Sequence, residues 1–224
     1  MEQNGRKKTT GRTRQTRQQR SVTRTHAKLL DAGRSVFSEK GLDLTTVDDI
    51  TQRADLGRGT FYYHFASKQD LISEVIKGLL GELAAEVRAR CSDKAELPEL
   101  LDAMIEVHTE FFSRRWEDFV LYYQGRADMT LGQSWGGLET PFNEYLATIE
   151  QLVDSSISEP IPGPVLRRVA CAIAGFISGY YSFAVVSSVS EDVDSAFASL
   201  RSAFVASLVR FIREAVPDAE KKQV

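Results

Sequence analysis

The chain has 224 residues, 42% of them hydrophobic, and a formal charge of −3. That length allows one large or two small domains with a substantial core, and the net acidity excludes a protein that coats nucleic acid over its whole surface. Cys91 and Cys171 lack C-x-x-C spacing and a nearby histidine, which excludes a disulfide framework or zinc ribbon and reads as two small buried residues in a reducing compartment.

Charge is unevenly distributed. Residues 1–25 hold eight Lys and Arg against Glu2 alone, a balance of +7, so the remainder carries −10. A basic arm on an acidic body points to one local anionic partner. Residues 1–22 show no apolar periodicity and are rich in Arg, Gln, Thr and Gly, the composition of a segment disordered when free. Either it is a solvated tail, or Arg12, Arg14, Arg17 and Arg20 follow DNA phosphates or the minor groove. The basic start is followed by no apolar run, so no secretory leader is expected.

A first helix is predicted from about Arg24 to Lys40, with Leu29, Ala32, Gly33 and Val36 on one stripe and Gly41 as its stop. Thr46 then caps a second helix, and Asp49 three residues on makes a capping-box variant. Val47, Ile50 and Ala54 give that helix one apolar face. Asp55, Leu56 and Gly57 form a sharp turn, because Asp tolerates left-handed backbone and Gly lifts the steric limit. Arg58 opens a third short helix, in which Phe61 and Phe65 face inward while Arg58, Thr60, Tyr63 and His64 stay on the other side. Two short helices around a tight turn are a helix-turn-helix, whose second helix meets base edges in the major groove. A structural helical hairpin with a polar face is the plainer alternative.

The run Ala54-Asp55-Leu56-Gly57-Arg58-Gly59-Thr60-Phe61-Tyr62-Tyr63-His64-Phe65-Ala66-Ser67-Lys68-Gln69-Asp70-Leu71 resembles the DNA-binding motif of the tetracycline-repressor (TetR) family of bacterial regulators. The fixed-spacing matches are Gly59-Thr60, Tyr62, His64-Phe65, Ser67-Lys68 and Leu71. Asp55 stands where that family usually has Gly, and Gly57 where it has a capping Ser, which bears on local stability and one phosphate contact. The resemblance covers about the first third of the chain. It implies that Thr46, Thr60, Tyr62, His64 and Lys68 hold phosphates, and that Arg58, Gly59 and Tyr63 face bases.

Ser67 begins a fourth helix that keeps apolar period to about Arg90, a rod of roughly 36 Å. Further helices are expected from Pro98 through Phe112, from Trp116 to Ala127, and from Leu138 to Ile157, ended by Pro160, Pro162 and Pro164. This part is rich in aromatics. They suit an ordinary core, and the resemblance implies instead an effector pocket that draws on His108, Phe111, Phe112, Trp116, Phe119, Tyr123, Phe142, Tyr145, Phe176 and Tyr180. Taken alone, His108 on its apolar face reads as a satisfied core histidine.

Val165 to Ser187 is long and apolar, but its Gly, Ser and paired Tyr argue against a membrane span. A last helix runs from Val193 to Ala215. Two such apolar helices exceed what one domain buries, so a dimer interface is expected at Ala172, Gly175, Gly179, Phe197, Phe204 and Leu208, in a four-helix arrangement with the symmetry mate.

The expected fold is therefore all-α, about nine helices, divided as a basic arm (1–22), a helix-turn-helix domain (23–70), a larger helical effector-binding and dimerisation domain (71–216) and a polar tail (217–224). The expected function is that of a cytoplasmic homodimeric regulator, most often a repressor in the resembling family, released from a near-palindromic operator by a small hydrophobic or aromatic effector. No nucleophile elbow, phosphate loop, metal-ligand pair or carboxylate dyad is present, so neither an enzyme nor a cofactor is expected. A helical scaffold is the remaining alternative.

Overall fold

A computed structural model describes the backbone of residues 8–94, 96–130, 138–187 and 193–216, and the side chains of 19–94, 96–127, 138–181 and 200–216. Among these residues there are nine helices and no strand. They are α1 (Lys8–Lys40), α2 (Val47–Ala54), α3 (Arg58–His64), α4 (Lys68–Cys91), α5 (Leu97–Arg114), α6 (Trp116–Thr130), α7 (Glu139–Ser155), α8 (Gly163–Ser187) and α9 (Val193–Ala215). The chain divides into two compact units at Ile76 and Lys77, inside α4 and beyond the boundary at residue 70 that the sequence suggested.

The first unit departs from expectation at its start. Residues 8–22 are not a disordered arm; they continue α1 as helix from Lys8. Arg and Gln are good helix formers, no proline interrupts, and a packed helix downstream supplies the nucleus that an isolated segment lacks. Residues 1–7 and the side chains of Arg12, Arg14 and Arg17 lie outside the described residues, while Arg20 is exposed. α1 ends at Gly41, whose φ of 86° only glycine adopts freely. The core of the unit is built from Leu29, Phe37, Ile50, Phe61, Leu71 and Ile72, each fully buried. Gly33 admits the α4 side chain Leu71: a Cβ there would lie 2.8 Å from Leu71 Cδ2. Arg53 donates to Glu39 (2.6 Å) and Lys40 to Asp49 (2.5 Å), so two ion pairs fix how α2 lies along α1.

In the second unit, Leu79, Leu83 and Val87 of α4 and Leu101, Met104, Ile105 and Val107 of α5 are fully buried. Ion pairs run beside this core: Glu82 with Arg115, Glu86 with Arg114 (2.6 Å), and Glu106 (3.6 Å) and Glu110 with Arg90. Arg115 also pairs with the buried carboxylate of Asp118 (2.5 Å) at the start of α6. Pro164 sits in the first turn of α8, where a missing N–H is harmless. α8 buries Val169, Ala170, Ile173, Ala174, Ile177, Ser178 and Tyr181, and leaves Ala172, Gly175, Phe176 and Gly179 partly exposed on its other side.

α9 packs chiefly on α5. Arg201 pairs with Asp102 (2.9 Å), and Val205, Leu208 and Ile212 are buried at helical spacing. Leu208, expected at a dimer interface, therefore belongs to the core of its own unit. Phe204 is half-buried, and Phe197 lies outside the described side chains. No helix among the described residues is long and apolar enough to cross a membrane.

Candidate nucleic-acid interface and effector cavities

The helix-turn-helix is held by local chemistry. Thr46, at φ −106° and ψ 161°, accepts from Asp49 N (3.2 Å) through Oγ1, and Asp49 Oδ2 accepts from Thr46 N (2.9 Å). This completes a capping box with Asp in the Glu position. The Lys40 ammonium, and then the Thr46 amide, hold the Asp49 carboxyl far below the usual carboxylate range. At the other end Asp55 takes the left-handed conformation, φ 54° and ψ 51°. Leu56 N donates to Thr51 O (2.9 Å) and Asp55 N to Gln52 O (3.2 Å). Those are the two bonds of a Schellman cap, with Asp where glycine is commonest. Gly57 then caps α3 without a side chain, and its carbonyl accepts from Thr60 N at 2.9 Å.

α3 is anchored by Phe61 (fully buried) and Phe65, with ring centroids 5.7 Å apart. Its outer side is open. Tyr62 is 52% and Tyr63 72% exposed, and Arg58 and Gly59 are exposed, with open space where a Gly59 Cβ would stand. Arg58 Nε lies 3.2 Å from Asp48 Oδ1. Thr60 and His64 are half-buried, and Thr46 is exposed at the tip of α2. Lys68 is placed differently: its Nζ lies within 3.2 Å of three backbone carbonyls.

One buttress escaped sequence reasoning. His26 of α1 stacks on Phe65 (4.8 Å, 25°), meets His64 edge-on (5.6 Å), and places Nε2 3.3 Å from Glu74 Oε1 of α4. Burial, and then His26, lowers the His64 pKa. No residue spacing announces a contact among three separate helices.

In the second unit most of the expected effector aromatics fill each other's space. Phe111, Phe112, Phe119, Phe142 and Tyr145 are buried, and Phe112 lies 5.5 Å from Phe119 and 5.2 Å from Tyr122. Trp116 and Tyr123 are exposed. Phe176 stacks on Phe204 of α9 at 4.3 Å, and Tyr180 stands edge-on to Tyr181. His108 is fully buried, with Nδ1 2.5 Å from Met104 O and Nε2 2.5 Å from Tyr145 Oη. A carbonyl can only accept, so Nδ1 carries the proton and Nε2 accepts from the phenol. Burial pushes the His108 pKa down to about 4.

Among the described residues, two cavities bear on an effector site. One of about 280 Å³ lies among α6, α7 and α8 and includes Tyr122, Arg126, Phe142, Tyr145 and Leu146. The other, about 390 Å³, lies between α4 and α7 and includes Lys77, Leu80, Arg88, Tyr145 and Thr148. Of the expected pocket residues only Phe142 and Tyr145 line either. Cys91 is buried as expected, whereas Cys171 is exposed and borders the smaller cavity. No group of three or more His, Cys, Asp or Glu that could hold a metal occurs among the described residues.

The model of bacterial regulatory proteins of the tetR family matches residues 29–75, which span the whole helix-turn-helix, the end of α1 and the start of α4. The HTH-type transcriptional regulator YvdT of Bacillus subtilis is 30% identical over 133 residues, 59% of this chain and 67% of its own length. The chain belongs to the TetR family. This TetR-family protein is a DNA-binding transcription regulator with a helix-turn-helix, and not an enzyme. The HTH-type transcriptional repressor KstR2 of Mycobacterium tuberculosis is 32% identical over 101 residues, 45% of this chain and half of its own length. Among solved structures, FadR from Bacillus subtilis in complex with stearoyl-CoA superposes with a TM-score of 0.65 at 20% identity, covering 83% of this chain and 98% of that one. That likeness is one of fold.

Proposed function

We propose that this TetR-family regulator acts in the cytoplasm as a homodimeric repressor, and that a small hydrophobic or aromatic effector releases it from a near-palindromic operator. The observation that carries the reading is α3, whose Arg58, Gly59, Tyr62 and Tyr63 are exposed while Phe61 and Phe65 hold it from behind. Arg58, Gly59 and Tyr63 would face base edges, and Thr46, Thr60, Tyr62 and His64 would hold phosphates. Arg12, Arg14, Arg17 and Arg20 lie on the amino-terminal turns of α1, from which a cationic stretch would follow the adjoining phosphates.

Self-association is supported by the outer sides of α8 and α9. Ala172, Gly175 and Gly179 are partly exposed, with open space at both glycines, and Leu200 is 54% and Phe211 37% exposed. A two-fold pairing there would present two recognition helices to successive major grooves, about 34–36 Å apart. An effector in either cavity would prefer one spacing of those helices and so lower operator affinity. The name of one relative accords with this: KstR2 is a transcriptional repressor.

A fluorescence-anisotropy titration with duplex DNA flanking the protein's own gene tests the reading. Tight binding at low salt that weakens on adding a hydrophobic effector is expected; a monomer in solution, or no binding at low salt, contradicts it. Tyr63→Ala should weaken operator binding by about 1–3 kcal/mol and relax sequence choice without changing stability. Removing residues 1–20 should flatten the dependence of log affinity on log salt, and an unchanged slope would take the basic segment out of the interface.

A further inference from the structure

Lys68 opens α4, and its side chain reaches back across the unit to the connection between α1 and α2. Its Nζ lies 2.8 Å from Leu42 O, 2.9 Å from Thr45 O and 3.2 Å from Asp43 O. An ammonium has three N–H donors, and here each has a carbonyl to meet. The same connection is tied from within. Thr45, almost wholly buried, donates through Oγ1 to Gly41 O at 2.7 Å, and the next residue, Thr46, is the cap of α2. The segment that seats α2 thus has its carbonyls gathered on one cation borne by a different helix. Desolvation lowers the Lys68 pKa, as expected of an ammonium partly withdrawn from water. A DNA phosphate approaching Nζ would have to displace one of these carbonyls and leave it without that donor.

We propose that Lys68 is a positioning residue, which clips the α1–α2 connection to the start of α4 and so sets the seat of the helix-turn-helix, and that it makes no phosphate contact. The proposal rests on the DNA-binding reading and assigns one of the motif's residues a different part in it. It also separates two effects that a lysine in a DNA-binding unit usually confounds. Loss of a phosphate contact lowers affinity and also lowers the salt slope by about 0.9. Loss of a positioning clip lowers affinity at unchanged slope, because the count of ions released is the same.

The experiment uses the full chain and its own operator, titrated from about 50 to 200 mM salt at a temperature where circular dichroism shows each variant folded. Lys68→Met keeps the aliphatic stem and removes every donor; it should bind about tenfold more weakly with the wild-type slope. Lys68→Arg keeps the charge, but its planar fork cannot converge on three carbonyls. It should also bind several-fold more weakly, with the slope again unchanged. A flatter slope for Lys68→Met, or full affinity for Lys68→Arg, would show a phosphate contact and overturn the proposal. Full affinity for folded Lys68→Met would reduce the clip to a stabilising contact and overturn it equally. If Lys68→Met does not fold, Lys68→Arg decides alone, and a wild type that binds no DNA overturns both the clip and the reading beneath it.

Discussion

Phe61→Ala should abolish operator binding by unfolding the unit that carries it. Phe61 is fully buried, lies 5.7 Å from Phe65 and meets Tyr62 edge-on at 5.3 Å, and it is the only fully buried side chain of α3. Removing a buried phenyl ring costs about 3–5 kcal/mol, because the lost transfer energy adds to that of the cavity left behind. A small domain holds about 5–15 kcal/mol in all, so the loss takes most of the reserve of a unit of this size. α3 is too short to persist without its anchor. Urea melts followed by far-ultraviolet circular dichroism, run beside DNA titrations, would show it. A variant within about 1 kcal/mol of wild type would mean that the unit repacks around the gap and that Phe61 does not hold the recognition helix. Tyr63→Ala, two residues along and on the open side of the helix, is the control whose stability should not move.

Acid should destabilise the second unit through His108 well before the carboxylates titrate. The folded imidazole holds out to a pKa of about 4, against the ordinary histidine value of 6.5 in the unfolded chain. Below about pH 6.5 the unfolded chain binds a proton that the folded one refuses, so stability is complete above that pH and falls as pH drops toward 4. From pH 7 to pH 5 the fall is about 2 kcal/mol. His64, whose pKa is also lowered, acts in the same direction in the first unit. The carboxyls of Asp49, Glu39 and Glu110 are held below their usual values and lose stability only at lower pH, so they leave this window clear. His108→Gln retains an acceptor for the Tyr145 hydroxyl and cannot take up the proton. Its stability, measured between pH 7 and 5, should be nearly flat where wild type declines. Parallel curves would place the titrating group elsewhere.

What the sequence made legible was local. Thr46 with Asp49, the left-handed Asp55, and Phe61 with Phe65 all act within a few residues of one another, and spacing announces such pairs. The nine helices followed from apolar period and from stops at glycine and proline. What stayed hidden involves partners distant in sequence or without a side-chain signature. Lys68 binds backbone carbonyls 23 to 26 residues away, and a carbonyl looks the same behind every residue type. The amino-terminal extension of α1 was misread because composition alone does not show that a packed helix can propagate outward. The closed aromatic core and the inward turn of Leu208 depend on which helices lie side by side, as with Tyr181 and Ser113, 68 residues apart but joined by a hydrogen bond of 2.6 Å. Periodicity says which face of a helix is apolar; it does not say what covers that face.

Tyr145 borders both cavities, and its hydroxyl is already given to His108. Molecules lodged in the two hollows would thus lean on a single partition wall, and whichever arrived first would alter the room left for the other. Under the proposed effector response, chemically unlike compounds would then register as one signal, and a mixture of them would be read as competition at a shared ring.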